Sequence, residues 1–311
     1  MYQQTRNVNF VIVMIIFSSL FSVFLSKSAK MKQFSVDSVK TILKDNYPTF
    51  VKALGENIKD PKFRAAIRSL AAVSHVNYTN IAAQVSNLIP TQNEVDVDKS
   101  LKYPLTNVDS VKTALYCQEP IKIMNSSIVT SGGGKFVIDG HHRWSQIYAI
   151  NPNCTMAALD LSDIKDPLNA LKSTQLGIAA GTTANGTEIT EIPIAIVEGR
   201  NLLNITESDL KAYVQGKITP EVLAAFTEYS AQLNSNEKVA DYIWNNVQRM
   251  QTYNQPIPGA PSRGMMPQTD LSTDWVKNTV NPSVINPLSF LDSSKLSLGS
   301  FFIMLIVAIL I

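Results

Sequence analysis

The sequence predicts an α+β protein: a small mixed β-sheet with helical flanks before and after it. Two observations carry this expectation. Short apolar runs of strand length, at residues 136–139 and 156–161, are separated by a stretch with apolar side chains at helical spacing, and helix signals fill the chain on both sides. The triplet Gly132, Gly133, Gly134 supplies a hairpin turn between strand-like segments.

Taken in order, residues 36–43, 48–54 and 61–73 read as amphipathic helices. The second is closed by Gly55, and the third places Ala66, Ile67, Leu70 and Val73 on one face. Arg64 and Arg68, one turn apart, read as a solvated face. Residues 109–116 read as a helix and 121–124 as a strand, with 136–139 as its partner across the glycine turn. A helix with Trp144, Ile147 and Tyr148 on one face follows and ends at Asn151 and Pro152. Residues 156–161 form a third strand, 167–175 a helix, and 192–197 a short strand after the loop 181–187. Thr206 caps a helix at 207–214. Thr219, with Pro220 at the first helical position, opens another that runs to Leu233, and a third spans 237–250. Four prolines and two glycines in 254–268 make an irregular strap, and 269–291 reads as a stalk.

The chain has 311 residues, 45% of them hydrophobic, which is enough for a sizeable core. A formal charge of +2 is spread without a Lys/Arg block, so a nucleic-acid partner is disfavoured.

The dense cluster of reactive side chains is Asp139, Gly140, His141, His142, Arg143 and Trp144, where a strand turns into a helix. Free amides and the positive end of the helix dipole at such a turn seat an anion, and phosphate is the natural guest. Asp139 is a candidate for taking a proton from a hydroxyl or binding Mg²⁺, the alternative being a carboxylate that caps the turn. Gly140 lets a ligand approach the backbone. His141 has the chemistry to hydrogen-bond or protonate a phosphate oxygen, and Arg143 to fork two donors onto one, with His142 beside it. A paired-histidine zinc site falls short on ligands, and the identity of any metal stays open.

This turn, with residues 88–95 (Leu88, Ile89, Pro90, Thr91, Gln92, Asn93, Glu94, Val95) and a basic helix before it, resembles the ParB/sulfiredoxin superfamily over residues 87–197. The resemblance implies a ParB/sulfiredoxin-like core whose turn cradles nucleotide phosphates, with ATP, ADP or CTP and Mg²⁺ as cofactors. One branch of the family, an archaeal kinase for free serine, carries the same DGHHRW turn. By that likeness Glu94, after Pro90, is the base on a substrate hydroxyl, although its spacing is a residue or two longer. His141 stands where sulfiredoxin has cysteine and the partitioning CTPases glutamate, so neither chemistry transfers. Lys99, Lys102 and, from the strap, Arg263 are further candidates for the mouth of the site.

Both termini suggest export. The uncharged run 10–25 after Arg6 reads as a signal peptide cleaved after Ser28, with a signal-anchor as the alternative. The apolar run 301–311, behind Asp292, Ser293 and Ser294, reads as a GPI-anchor signal with lipid attachment at Asp292, a buried C-terminal element being the alternative. Sequons at Asn77, Asn125, Asn153, Asn185 and Asn204 agree with a secretory, cell-surface glycoprotein, in a number close to what composition alone yields, while Asn281 is excluded by Pro282. Cys117 and Cys154 are either a disulfide or two buried thiols.

The organisation expected is therefore signal (1–28), helical flank (29–86), core (87–200), helical extension (201–253), strap and stalk (254–292) and anchor signal (293–311). Function divides between a nucleotide-dependent phosphotransferase or hydrolase and a non-catalytic surface module for a small-molecule or nucleotide ligand, tied to the membrane through its lipid. A ParB-like nuclease is the weaker third reading, for want of a basic stripe and a second acid.

Overall fold

Side chains supplied by the sequence start most of the helices. The computed structural model describes residues 36–193 and 199–282. Expectations for 1–28, for Asp292, for 293–311 and for most of the strand 192–197 lie outside the described residues. Ten α-helices and five strands are present among them: α1 Val36–Leu43, α2 Tyr47–Asn57, α3 Pro61–Val73, β1 Thr79–Gln84, β2 Ile89–Pro90, α4 Val97–Thr106, α5 Val108–Tyr116, β3 Ile128–Ser131, β4 Phe136–Asp139, α6 His141–Ile150, β5 Thr155–Leu161, α7 Pro167–Ala180, α8 Glu207–Lys217, α9 Pro220–Tyr229 and α10 Asn236–Tyr253. Asn46, Asp60, Asp96, Asn107, Asp166, Thr206, Thr219 and Ser235 each accept a first-turn amide of α2–α5 and α7–α10. Helix α6 differs: it starts on Gly140 at φ 94°, with no capping side chain.

The sheet is mixed, in the order β1-β5-β3-β4-β2. β1 runs antiparallel to β5 and β4 antiparallel to β3, whereas β5–β3 and β4–β2 are parallel. The α+β class is as expected, with two corrections to its strands. Residues 121–124 make only isolated bridges, Ile121 to Met156 and Ile123 to Ser126, around a tight turn that puts Met124 and Asn125 at positive φ. The partner of β4 is instead β3, directly before the glycine turn. Strand β1, in a stretch read as helical flank, forms one edge of the sheet. Smaller differences are at helix ends: α2 runs through Gly55 to Asn57, α7 continues to Ala180, and α9 stops at Tyr229 where Ser230 leaves the helical region.

One face of the sheet joins α4–α6 and α8–α10 in a common core. Trp144, fully buried, donates Nε1 to the Val85 carbonyl at 3.0 Å and meets Tyr148 edge-on at 5.8 Å. The Tyr148 hydroxyl donates to Asn254 at 2.8 Å, tying α6 to the start of the strap.

Helix α7 is buried all round from Ala170 to Ala180, which its short and apolar side chains allow. α2 and α3 cover one side, β4 touches it, and the 3₁₀ turns Thr269–Leu271 and Trp275–Asn278 cover the rest. Gly177 and Gly181 have no room for a Cβ, because the Trp275 carbonyl with Thr279 and the Ser272 side chain press against them. Lys172 answers the open end of α1, donating to the carbonyls of Leu43 at 2.8 Å and Asp45 at 2.5 Å.

Residues 269–282 are thus no stalk: Trp275, Thr279, Val280 and Asn281 are buried. Nor are Arg64 and Arg68 a solvated face. Arg64 is 5% exposed, and both guanidinium groups pair with Glu188, pinning the 181–191 loop to α3. Cys117 and Cys154 lie at disulfide distance with Cα atoms 5.3 Å apart, so the paired alternative holds and the end of α5 is stapled to the start of β5.

Candidate functional site

The expected strand-turn-helix is present, and it opens one end of a cleft of about 630 Å³. The floor is a single row across the sheet: Asn80 opposite Leu159, Leu159 beside Val129, Val129 opposite Asp139. Asp139 reaches this row because of a register shift. Val129 faces Asp139 while Thr130 faces Val137, so Ile138 is an extra residue in β4. A regular strand would point Asp139 to the same side as Val137, into the main core; the bulge turns it over to the cleft. The roof comes from the strap, through Arg263, Met266 and Gln268, and from the 3₁₀ turn after it, through Thr269 and Asp270.

The end wall is the first turn of α6. Its amides at His141, His142 and Arg143 have no acceptor within the helix, and no side chain caps them. Gly140 is obligatory here. A Cβ on it would meet Ile128 Cγ2 at 2.7 Å and the Arg143 guanidinium at 3.0 Å, besides sitting in the left-handed region.

The reactive side chains are already engaged. Arg143 donates Nη2 to Asp139 at 2.8 Å and Nη1 to the Ser127 carbonyl at 2.7 Å, with both members of the ion pair about one fifth exposed. Burial pushes the Asp139 carboxyl up from its ordinary value, and Asp270 adds to this, while Arg143 and the Thr269 hydroxyl act against it. Both histidines use Nε2 as an acceptor: His141 takes the Thr91 amide at 3.0 Å and His142 the Asp96 amide at 3.2 Å. An imidazole accepting there is neutral and carries its proton on Nδ1. Burial holds the His141 pKa well below its ordinary value, with His142 and the two arginines acting the same way. His142 is lowered to about 3 by burial, Arg263 and Lys99. The two rings therefore clamp the 91–96 segment onto α6, and neither presents a positive charge to the cleft.

Of the residues named from sequence, Asp139, Gly140, His141, His142, Arg143 and Arg263 come together. Glu94 does not join them: its carboxylate accepts the Arg263 amide at 3.0 Å beside the strap, and Gln92 lines the cleft in its place. Lys99 and Lys102 lie outside the lining. The row Asn80, Leu159, Val129 and the pair Thr269, Asp270 were not foreseen; nothing short of strand register and strap path locates them. No cluster of three metal-ligating side chains occurs among the described residues. Comparison of the chain with protein-family models, curated proteins and solved structures finds no match.

Proposed function

We propose that this chain is an exported, lipid-anchored protein with a ParB/sulfiredoxin-like core that binds a phosphate-bearing small molecule at the turn Asp139–Arg143. The observation that carries the reading is the cleft itself: its end wall is an uncapped helix N-terminus of a ten-residue helix, next to two guanidinium groups. The size suits a small ligand or a nucleotide.

Of the two functional classes, the geometry favours binding over turnover. The acceptor nitrogens of both histidines are occupied by backbone amides, which leaves two lining carboxylates able to accept a proton from a hydroxyl, Asp270 and, at the turn itself, Asp139. The raised pKa of Asp139 suits that task, and the phosphotransferase reading rests on that residue. A Mg²⁺–nucleotide fits less well than a phosphate, because the carboxylate that would face the metal already holds Arg143. Nuclease activity is not proposed, since the charges of the lining cancel and offer no track for a polyanion.

Export is supported by exposure. Asn77, Asn125, Asn153, Asn185 and Asn204 all lie on the surface, whereas Asn281, the one barred by a following proline, is 2% exposed. Thermal-shift and calorimetric titrations of the secreted chain with inorganic phosphate, AMP, ADP, ATP and CTP test the reading, with phosphate release followed in parallel. Failure of all five to bind at millimolar concentration sinks it, and turnover abolished by Asp139→Asn would restore the enzyme reading.

A further inference from the structure

Four formal charges line the cleft, those of Arg143, Arg263, Asp139 and Asp270. Arg143 is committed to Asp139 and the Ser127 carbonyl, and the histidines to Thr91 and Asp96. Arg263 is different. Its Nη1 is sealed from solvent without a hydrogen-bond partner, and its guanidinium enters no ion pair among the described residues. Arg263 as a whole is partly exposed, but a guanidinium nitrogen shut off from water with no acceptor is unfavourable unless something arrives to compensate it.

The backbone that carries this arginine is held firmly. Its amide donates to Glu94, the Asn93 amide donates to the Pro261 carbonyl at 3.1 Å, and the Met265 carbonyl accepts the Tyr47 hydroxyl at 2.8 Å and Gln175 Nε2 at 3.0 Å. Three parts of the chain far apart in sequence thus hold the backbone from which this guanidinium joins the lining that it shares with both imidazoles and the first turn of α6. A pre-positioned donor loses little freedom when it meets its acceptor.

We infer that Arg263 is the counter-charge for the ligand of this cleft, and that the ligand is a phosphate monoester bound without a metal ion. The inference rests on the reading that the cleft binds phosphate and narrows it to a class. Arg143 and Asp139 cancel in their ion pair and Asp270 offsets Arg263, so the lining sums to zero formal charge, and the donors left to a ligand, the Arg263 guanidinium and the open amides of α6, suit one or two negative charges better than four. The four charges of a nucleoside triphosphate would need a cation that Asp139, already paired, is poorly placed to hold.

Isothermal titration of the full chain with inorganic phosphate, AMP and MgATP, with and without EDTA, tests this in the parent, Arg263→Gln and Arg263→Lys. The expected result is binding of phosphate and AMP that EDTA leaves unchanged, a loss of at least about tenfold in Arg263→Gln and partial recovery in Arg263→Lys. The thermal midpoint of Arg263→Gln should equal or exceed that of the parent, because an orphaned cation has been removed; a clear fall would make Arg263 structural and overturn the inference. AMP bound as tightly by Arg263→Gln as by the parent, or MgATP preferred and lost with EDTA, also overturns it while phosphate binding stands. A parent that binds none of the three removes the underlying reading instead.

Discussion

Acid should unfold this protein earlier than its carboxylates alone would dictate, and the two clamp histidines are the reason. His141 and His142 hold backbone amides with their Nε2 lone pairs, so a proton there would set donor against donor. In the unfolded chain both titrate near pH 6.5. The folded values lie far lower, about 3 for His142 and well below the ordinary value for His141, so the unfolded state binds more protons throughout the interval between. Stability is then full above pH 6.5 and falls as pH drops toward the folded values. A histidine that stays neutral in the fold contributes a loss of about 2.7 kcal/mol by pH 4.5, or roughly 5 kcal/mol for two. Asp139, whose carboxyl is pushed up by burial, works in the opposite sense and trims the sum, so a net loss of about 3 to 5 kcal/mol is expected. Glu188, held below the usual carboxylate range by hydrogen bonding to Arg64, adds its own loss only at lower pH. Urea unfolding followed by tryptophan fluorescence from pH 8 to 4.5 measures the profile, and His142→Asn should remove about half of its slope. A profile flat within about 1 kcal/mol, or an imidazole titration midpoint above 6 for either ring in NMR, would refute the clamp.

Three further outcomes follow from the packing. Gly140→Ala combines left-handed strain with a Cβ against Ile128 and Arg143 and should destabilise by about 2 to 4 kcal/mol, read as a lowered urea midpoint, with phosphate binding lost as Arg143 shifts. Cys117→Ser with Cys154→Ser opens a loop with a sequence separation of 37 residues and should lower stability by about 4 kcal/mol, comparable to adding a reductant to the parent. Gly177→Val or Gly181→Val should prevent the 269–282 segment from docking on α7, and limited proteolysis should then cut it much faster than in the parent.

Much of the helical frame was legible because it is local. Thr206, Thr219 with Pro220, and Pro61 announce helices where their caps or first turns stand, and the DGHHRW run gives away a strand, a turn and a helix. What escaped depends on distant partners. β1 reads Thr-Asn-Ile-Ala-Ala-Gln, with none of the β-branched or aromatic density that marks a strand, and its pairing with β5 makes it one. Ile121 and Ile123 fit a strand pattern as well as Ile128 does, and only the sheet decides among them. Arg64 and Arg68 look like surface residues until Glu188, 120 or more positions away, arrives. At the site, the sequence revealed the residue types but not the direction of their lone pairs. Histidines expected to greet an anion hold the backbone instead, and the uncommitted charge comes from the strap.

The encasement of α7 also sets a timetable for biogenesis. Its jacket is assembled from residues that leave the ribosome before it, in α2 and α3, and from residues near 275–281 that emerge about a hundred positions after the helix itself. During that interval an apolar cylinder stands uncovered in the nascent chain, a natural client for a chaperone. A message truncated just past α10 would yield a polypeptide that keeps the DGHHR motif yet never closes its own interior.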